Sequence, residues 1–187
     1  IREVIQNALY QILQQATPIV GAGRTDAGVH AEGQVAHFTS IKPLNLTKLR
    51  LSLNALLPLD IRVFSIEQVD LNFHARYSAI SKEYHYHLHM GKSPNPFKRL
   101  YQYHVPYKLS LEKIEEALAL FVGTHDFSSF SNDNKEGACA KNPVRTLFSL
   151  LLTQEKEDIY LKFKGDGFLY KMVRNLSATL LAIGTNR

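Results

Sequence analysis

Apolar residues recur at helical spacing in four stretches of the chain, and each stretch predicts an amphipathic helix. Polar capping residues precede two of these stretches, and a proline or a glycine marks where two of them stop. The predicted helices are residues 2–15, a helix capped by Asn45 or Thr47 and stopped by Pro58, a helix capped by Ser110 and ended by Gly123, and residues 168–183.

Alternation of apolar and polar residues predicts the strands, and residues 80–90 alternate most strictly. Their apolar face carries Tyr84, Tyr86, Leu88 and Met90, and the opposite face carries Glu83 and three histidines. Residues 124–143 are polar and predict no regular element. The predicted strands are residues 17–22, 33–40, 60–69 and 80–90, one from Phe148 to Leu152 and one from Ile159 to Phe163, the last two joined by a turn at Gln154–Asp158.

The order of these elements predicts an α+β fold with two similar halves. The first half, residues 1–79, runs helix, strand, strand, helix, strand, and the second, residues 80–187, runs strand, helix, strand, strand, helix. Two βαββαβ units are the simplest account of this order. Each unit then lacks one outer strand, and the missing strands fall at the two termini of the sequence.

Composition limits the classes of protein that fit. Hydrophobic residues make up 45% and charged residues 21% of 187 residues, as in a globular protein with a substantial core. No apolar run is long enough to span a membrane, and the N-terminus does not resemble a secretory signal. The single cysteine, Cys139, excludes an internal disulfide framework, so we expect a cytoplasmic protein. The formal net charge of +5 weakly favours a polyanionic partner.

A polar loop with three glycines interrupts the first two strands. Gly21, Gly23 and Gly28 indicate tight turns or close approach to a ligand, and Asp26 is the one carboxylate between them. Such a loop can present a carboxylate to a substrate. The loop alone favours a plainer interpretation, in which Asp26 hydrogen-bonds its own backbone in a turn.

The same residues also fit other kinds of site. His85, His87 and His89 share a strand face with Glu83, a spacing that can bind zinc, although that face is opposite Tyr84. The loop is neither a P-loop nor a dinucleotide site, because it lacks the required glycine and lysine positions. A glycosidase pair of Asp26 with Glu32 and an RNA-binding module without catalysis also remain as alternatives, although the RNP1 signature is absent.

The loop sequence Gly-Arg-Thr-Asp-Ala-Gly-Val-His-Ala, residues 23–31, closely resembles the active-site loop of the tRNA pseudouridine synthase A family. The likeness continues through residues 33–38 and runs along the chain in the order of the family's motifs. The further matching segments are residues 73–79 followed by Tyr84–Tyr86, residues 123–127 with Phe130, residues 142–145 and residues 167–175.

This resemblance implies the pseudouridine synthase fold, in which two ferredoxin-like halves pack around a central antiparallel or mixed sheet with an RNA-binding cleft between them. It implies isomerisation of uridine to pseudouridine at positions 38–40 of tRNA, in a homodimer and without a cofactor or metal. By the same resemblance Asp26 is the essential acid, Tyr84 stacks on the uracil and Arg174 pairs with Asp26. The substrate-binding residues implied are Arg24, Thr25, Gly28, His30 and Tyr84.

The chain departs from the family pattern in two respects. The opening strand with its Tyr-Asp-Gly and Gly-Trp-Gln signatures is not in this sequence, and neither is the closing strand. Lys82 and Glu83 stand where the family usually has two basic residues, so one contact to phosphate or base is expected to be lost there.

Overall fold

Two units of the chain, Ile1–Ala79 and Ile80–Arg187, are each held together by their own contacts and are called unit 1 and unit 2. The structure is a computed structural model, and it describes residues 1–132 and 142–185. Cys139 lies outside the described residues. Within the described residues, no helix combines the length and the apolar character needed to cross a membrane.

Unit 1 consists of two helices and a short two-stranded ribbon. Residues 8 and 9 of the first helix and residues 49 and 53 of the second bury apolar side chains against each other, together with Ile19 and Leu57. The elements are α1 (Arg2–Leu13), β1 (Val20–Gly21), β2 (Ala36–His37) and α2 (Leu46–Leu56), and β1 and β2 pair antiparallel.

Helix α2 begins and ends where its sequence predicts. The side chain of Asn45 accepts a hydrogen bond from the Lys48 backbone N–H at 2.9 Å, which satisfies one of the free N–H groups of the first turn. The helix ends at Leu56, two residues before Pro58, because the residue that precedes a proline is driven out of the helical conformation. Of the two capping residues that the sequence allowed, the structure therefore selects Asn45.

The predicted strand at residues 60–69 is wrong. Ile61, Val63 and Ile66 do pack on the core of unit 1, but the segment forms no strand. The Asn54 side chain takes the place of a partner at Val63, donating to its carbonyl at 2.9 Å and accepting from its N–H at 2.8 Å. A strand needs a neighbouring chain to accept its backbone hydrogen bonds, and none of the described residues pairs with this segment.

Unit 2 contains a five-stranded sheet with two helices. The strand order is β4-β3-β7-β6-β5; β4 runs parallel to β3, and every other neighbouring pair is antiparallel. The predicted α+β class with a mixed sheet is therefore confirmed. The elements are β3 (Lys82–His89), β4 (Tyr103–His104), α3 (Leu111–Phe121), β5 (Gly123–Asp126), a 3₁₀ helix (Ser128–Phe130), β6 (Val144–Glu155), β7 (Asp158–Gly165) and α4 (Met172–Gly184).

One face of this sheet carries the core of unit 2. The predicted alternation of β3 is confirmed, since Tyr84, Tyr86, Leu88 and Met90 all face the core. Both helices cover this face with apolar residues three or four positions apart. The most deeply buried residues are Leu88, Val105, Ile114, Phe127, Leu147, Ile159, Leu161, Phe163, Met172, Leu176 and Leu180.

Three predictions for unit 2 need correction. Residues 124–143 were expected to contain no element, but β5 extends to Asp126 and the 3₁₀ helix follows it. The last helix begins at Met172 rather than Phe168, because Lys171 has a left-handed φ of 59° and a turn joins the Met172 N–H to the Leu169 carbonyl. Strand β4 was not predicted, since its two residues are too few to show alternation.

Candidate active site

The glycine loop of unit 1, residues 22–35, connects the two strands of the ribbon. Its base is closed by a backbone hydrogen bond from Ala22 to Val35 at 2.8 Å. The Gln34 side chain adds a second closure by donating to the Gly23 carbonyl at 3.1 Å. The loop is thus a hairpin connection whose two ends are held together close to the strands.

A tight turn shapes the far part of this loop. The Val29 N–H donates to the main-chain carbonyl of Asp26 at 3.2 Å, and Gly28 between them has a φ of +82°, which glycine adopts without strain. The main-chain oxygen of Asp26 makes this turn. Asp26 is half-buried, whereas the other predicted substrate-binding residues of the loop, Arg24, Thr25, Gly28 and His30, are exposed.

A second motif of unit 1 packs against the end of the ribbon. His37 in β2 accepts a hydrogen bond from the Ala75 N–H at 3.1 Å, and its ring lies 4.8 Å from the ring of His74. His74 in turn stacks on Tyr77 with ring centroids 4.3 Å apart. Sequence reasoning did not single out His37. It lies within the matching segment 33–38, and a polar residue amid an apolar strand is the signal that could have identified it.

In unit 2, Tyr84 stands at the edge of the core. It pairs in register with Phe163 of β7 and is half-buried on the core-facing side of β3. Its ring meets Phe168 edge to face, with centroids 4.9 Å apart and planes at 80°. This contact fixes the ring by an arrangement that aromatic pairs favour. Tyr84 therefore has a packing role, which leaves its proposed role in stacking as a prediction.

Arg174 lies in the first turn of α4 and is exposed. Burial raises the pKa of the Tyr86 hydroxyl, and the Arg174 charge partly opposes this by lowering it. The guanidinium is therefore within electrostatic reach of Tyr86, which shares the inner face of β3 with Tyr84. Unit 2 thus places Arg174 and Tyr84 in one region, where the start of α4 covers β3.

The later motif segments also meet around the start of α4. The Asn175 amide donates to the Phe130 carbonyl at 2.8 Å and to the Asn132 side-chain oxygen at 2.9 Å. The Asn132 N–H donates to the Tyr170 carbonyl at 3.2 Å. Asn175 is a positioning residue that sequence reasoning missed. The signal was its place directly after Arg174 inside the matching segment 167–175.

Asp126, in the Gly-Thr-His-Asp-Phe segment, has a structural role. Its carboxylate accepts hydrogen bonds from the hydroxyl and the backbone N–H of Ser128, and these bonds lower its pKa. They cap the 3₁₀ helix at its first residue. In the neighbouring strand Arg145 lies opposite His125, so the segments 123–127 and 142–145 are hydrogen-bonded neighbours.

The histidines of the outer face of β3 each have a separate partner. His85 contacts Glu83 at 2.6 Å and lowers the pKa of that carboxyl, and His87 meets the Tyr160 ring edge to face. His89 contacts Asp158 at 2.6 Å. Among the residues that the structure describes, no three His, Cys, Asp or Glu side chains are grouped to hold a metal ion. The zinc alternative therefore gains no support from the geometry.

The family model of tRNA pseudouridine synthase matches residues 1–78 and 117–187. The chain belongs to this family. The tRNA pseudouridine synthase A 1 of Protochlamydia amoebophila is 50% identical over 188 residues, which cover 100% of this chain and 73% of that protein. Proteins named tRNA pseudouridine synthase A from Bacillus licheniformis and Chlamydia pneumoniae are both 44% identical, with 76% and 69% of their lengths covered.

Membership in the tRNA pseudouridine synthase family confirms the resemblance drawn from the motifs. The glycine loop, the His74 segment, Tyr84 and the start of α4 all fall within the full-length match to the relative at 50% identity. Asp26 belongs to unit 1 and Arg174 to unit 2. Their pairing stays a prediction, as do the individual roles of the site residues.

Proposed function

We propose that the chain is a tRNA pseudouridine synthase that isomerises uridine in the anticodon stem-loop of tRNA, at positions 38–40. The observation that carries this proposal is 50% identity over the whole chain with a protein named tRNA pseudouridine synthase A 1. The half-buried Asp26 in a closed glycine loop supports it, because the reaction needs one carboxylate aimed at the substrate.

The reaction breaks the bond between N1 of uracil and C1′ of ribose, turns the base, and forms a bond from C5 to C1′. The C5 proton leaves and N1 regains a proton, so the net composition does not change and no cofactor is required. In this proposal Asp26 acts at the ribose. Tyr84 stacks on the uracil and places its hydroxyl near C5, a position from which it can take or relay the proton.

Two arginines complete the proposed site. Arg174 pairs with Asp26, and its guanidinium keeps its charge at any working pH and can direct both carboxylate oxygens. Arg24, which is exposed in the loop, helps to turn the uridine out of the stem. Thr25, Gly28 and His30 form the rest of the substrate-binding loop, with Gly28 fixing its turn.

The proposed architecture has two ferredoxin-like halves that coincide with units 1 and 2. In unit 2 the antiparallel order β3-β7-β6 with α3 and α4 on one face is that of a βαββαβ unit without its last strand. In unit 1 the apolar segment at residues 61–66 follows α2, where the pattern has its last strand, although the segment forms no strand. We further propose a cytoplasmic homodimer with the RNA-binding cleft between the halves.

The proposal is tested by release of tritium from C5-labelled uridine in tRNA transcripts. Asp26→Asn is expected to abolish release while tRNA affinity stays within a few-fold, because spread cations rather than one carboxylate bind the RNA. Glu32→Gln is the matched control, since Glu32 is an exposed acid of the same loop and should be dispensable. Normal release by Asp26→Asn would contradict the assignment.

The alternative is an RNA-binding module without catalysis. It predicts that the wild-type chain binds tRNA but releases no tritium under any condition.

Two further variants help to distinguish a catalytic chain from an RNA-binding module. Arg174→Lys should lose most activity, because an ammonium cannot reproduce the guanidinium fork. Tyr84→Phe is the second variant. The second should cleave the glycosidic bond yet form little product if the hydroxyl handles the C5 proton. Arg2→Lys on the exposed side of α1 serves as the control for an arginine-to-lysine change.

A further inference from the structure

A loop of unit 2 exposes large apolar side chains at the end of the sheet. This loop, residues 92–102, connects β3 to β4 and is called the β3–β4 loop. Phe97 is 91% exposed, and Leu100 and Tyr101 are 60% and 57% exposed. Neighbouring apolar groups left in water are a common mark of a binding surface.

Local hydrogen bonds fold this loop into successive turns. The Asn95 side chain accepts from the Phe97 N–H at 2.9 Å, and its carbonyl accepts from the Lys98 N–H at 3.0 Å. The Lys98 carbonyl accepts from Tyr101 at 2.9 Å and from Gln102 at 3.0 Å. Phe97 is therefore presented on ordered backbone, which reduces the entropy lost when it binds.

A partly buried carboxylate anchors the loop to the sheet. Asp158, the first residue of β7, accepts from Lys98 at 2.8 Å and from His89 at 2.6 Å. The other ring nitrogen of His89 lies 3.2 Å from the Ser93 carbonyl. The His89 ring therefore bridges the Asp158 carboxylate and the Ser93 carbonyl. The loop is thus fastened at Ser93 and at Lys98.

The start of the loop is also tightly packed. Gly91 is buried, and a Cβ built there would lie 2.3 Å from His89 Nε2 and 2.6 Å from Glu157 Oε2. A larger residue at this position would have to displace both side chains. The path of the chain into the loop is therefore fixed as well.

The charge of the loop itself suits a polyanion. The loop carries Lys92, Lys98 and Arg99 and no acidic residue. The acids beside it belong to the turn before β7, where Asp158 is paired with Lys98 and Glu157 lies against Gly91. Within residues 1–132 and 142–185 no carboxylate forms an ion pair with Lys92 or Arg99. Exposed aromatic rings next to unpaired cations are the features by which proteins bind unpaired nucleotides.

This surface is distinct from the proposed catalytic region. Tyr84 lies near the start of β3, and the loop leaves the sheet after His89, five residues further along. At about 3.3 Å per residue, Tyr84 and His89 are about 16 Å apart along the strand. A nucleotide at the loop is therefore not the uridine that Tyr84 would stack on.

We propose that the β3–β4 loop is a second RNA contact, which binds an unpaired nucleotide of the substrate away from the target uridine. Phe97 stacks on the base, and Arg99 and Lys92 contact the neighbouring phosphates. The proposal rests on the proposed function only in taking the substrate to be RNA. The loop contact adds affinity for the RNA and takes no part in the chemical step.

Equilibrium binding of a tRNA transcript, measured by fluorescence anisotropy at several salt concentrations, tests this contact. Phe97→Ala should raise Kd about 10-fold and Phe97→Tyr should leave it within two-fold, because tyrosine keeps the ring. Arg99→Gln should weaken binding and reduce the slope of log affinity against log salt by about 1. Tyr10→Ala, an exposed aromatic on α1, is the control and should change nothing.

Tritium release measured over a range of tRNA concentrations separates the two proposals. With a functional loop contact, Phe97→Ala raises KM and leaves kcat unchanged, and circular dichroism shows intact folding. Unchanged Kd in both Phe97→Ala and Arg99→Gln would overturn the loop contact while leaving the proposed function standing. If these variants lose tRNA affinity but the wild-type chain never releases tritium, the loop contact stands and the proposed function is wrong. If Phe97→Ala instead changes the mass in solution without altering Kd, the surface binds protein and the inference is wrong.

Discussion

Units 1 and 2 contain similar patterns of helix and strand in their sequences but differ in how much regular structure these patterns form. Unit 2 builds a five-stranded sheet with strands of up to 12 residues, and unit 1 builds a ribbon whose two strands have 2 residues each. The alternating segment 80–90 becomes β3, whereas the apolar segment 60–69 forms no strand. A strand pattern predicts which face is buried, but hydrogen-bonding neighbours decide whether the strand forms.

The largest expected effect in this comparison concerns the two cores. Leu161 is fully buried in β7, between two neighbouring strands, and Leu53 of α2 is the matched leucine in unit 1. Leu161→Ala should lower the free energy of unfolding of unit 2 by about 4 kcal/mol, and Leu53→Ala that of unit 1 by about 3 kcal/mol. Hydrogen exchange of β7 and α2 amides during urea titration measures each unit separately. A smaller loss for Leu161→Ala than for Leu53→Ala would contradict this expected order.

A second comparison concerns glycines that are required for different reasons. A Cβ at Gly165 in β7 would lie 2.7 Å from the Thr146 carbonyl oxygen, so Gly165→Ala must displace backbone, at a cost of about 2 kcal/mol. Gly28 has open space around it and a φ of +82°, so Gly28→Ala costs about 1 kcal/mol from conformation alone. Urea midpoints rank the two variants. Equal costs would show that space and backbone conformation constrain the two positions alike.

The smallest expected effect concerns the ion pair at Asp158 in unit 2. Unit 2 contains ion pairs at Glu83 and Asp158, and the hydrogen bond from Lys98, with a further contribution from His89, lowers the pKa of Asp158 to about 2. Because this pKa lies below its usual value near 3.8, the ionised carboxylate stabilises the folded state at pH values above about 3.8. This stability is lost as the pH falls toward 2.

Asp158→Asn should therefore cost about 1 kcal/mol at pH 7, a modest amount because Lys98 is half exposed and solvent screens the pair. The difference in the free energy of unfolding between Asp158→Asn and the wild type should shrink between about pH 4 and pH 2. Asp60→Asn, an exposed acid in unit 1, is the control and should show no such dependence. A difference that stays constant down to pH 2 would rule out the ion pair as the source of the stability.

The helices were the part of the fold most readily predicted from sequence. Asn45 and Ser110 cap α2 and α3 as expected, because a capping side chain and the helix that it starts are close in sequence. Short or isolated strands were not predictable. Strand β4 pairs with β3 through two residues only, and the first residue of α4 depends on the left-handed Lys171, which carries no sequence signal.

Within the candidate site, the motifs pointed to the predicted catalytic residues more readily than to the residues that hold the site together. Asp26, Tyr84 and Arg174 stand out because a matching segment surrounds each of them. His37 and Asn175 act through hydrogen bonds to residues 38 and 45 positions away, and sequence spacing does not show such contacts. Long-range support is therefore what the structure adds to the motifs.

The position of β3 in its sheet has a consequence during synthesis. His89 at the end of β3 lies 69 residues before Asp158, the first residue of the strand that pairs with it. At about 5–20 residues per second, translation needs about 3–14 s to supply that partner. Until then the edge of β3 that pairs with β7, from Lys82 to His89, has no hydrogen-bonding partner from that strand. Ribosome-bound chains arrested before residue 158 should leave this segment open to chaperone binding, and chains arrested well beyond residue 165 should protect it.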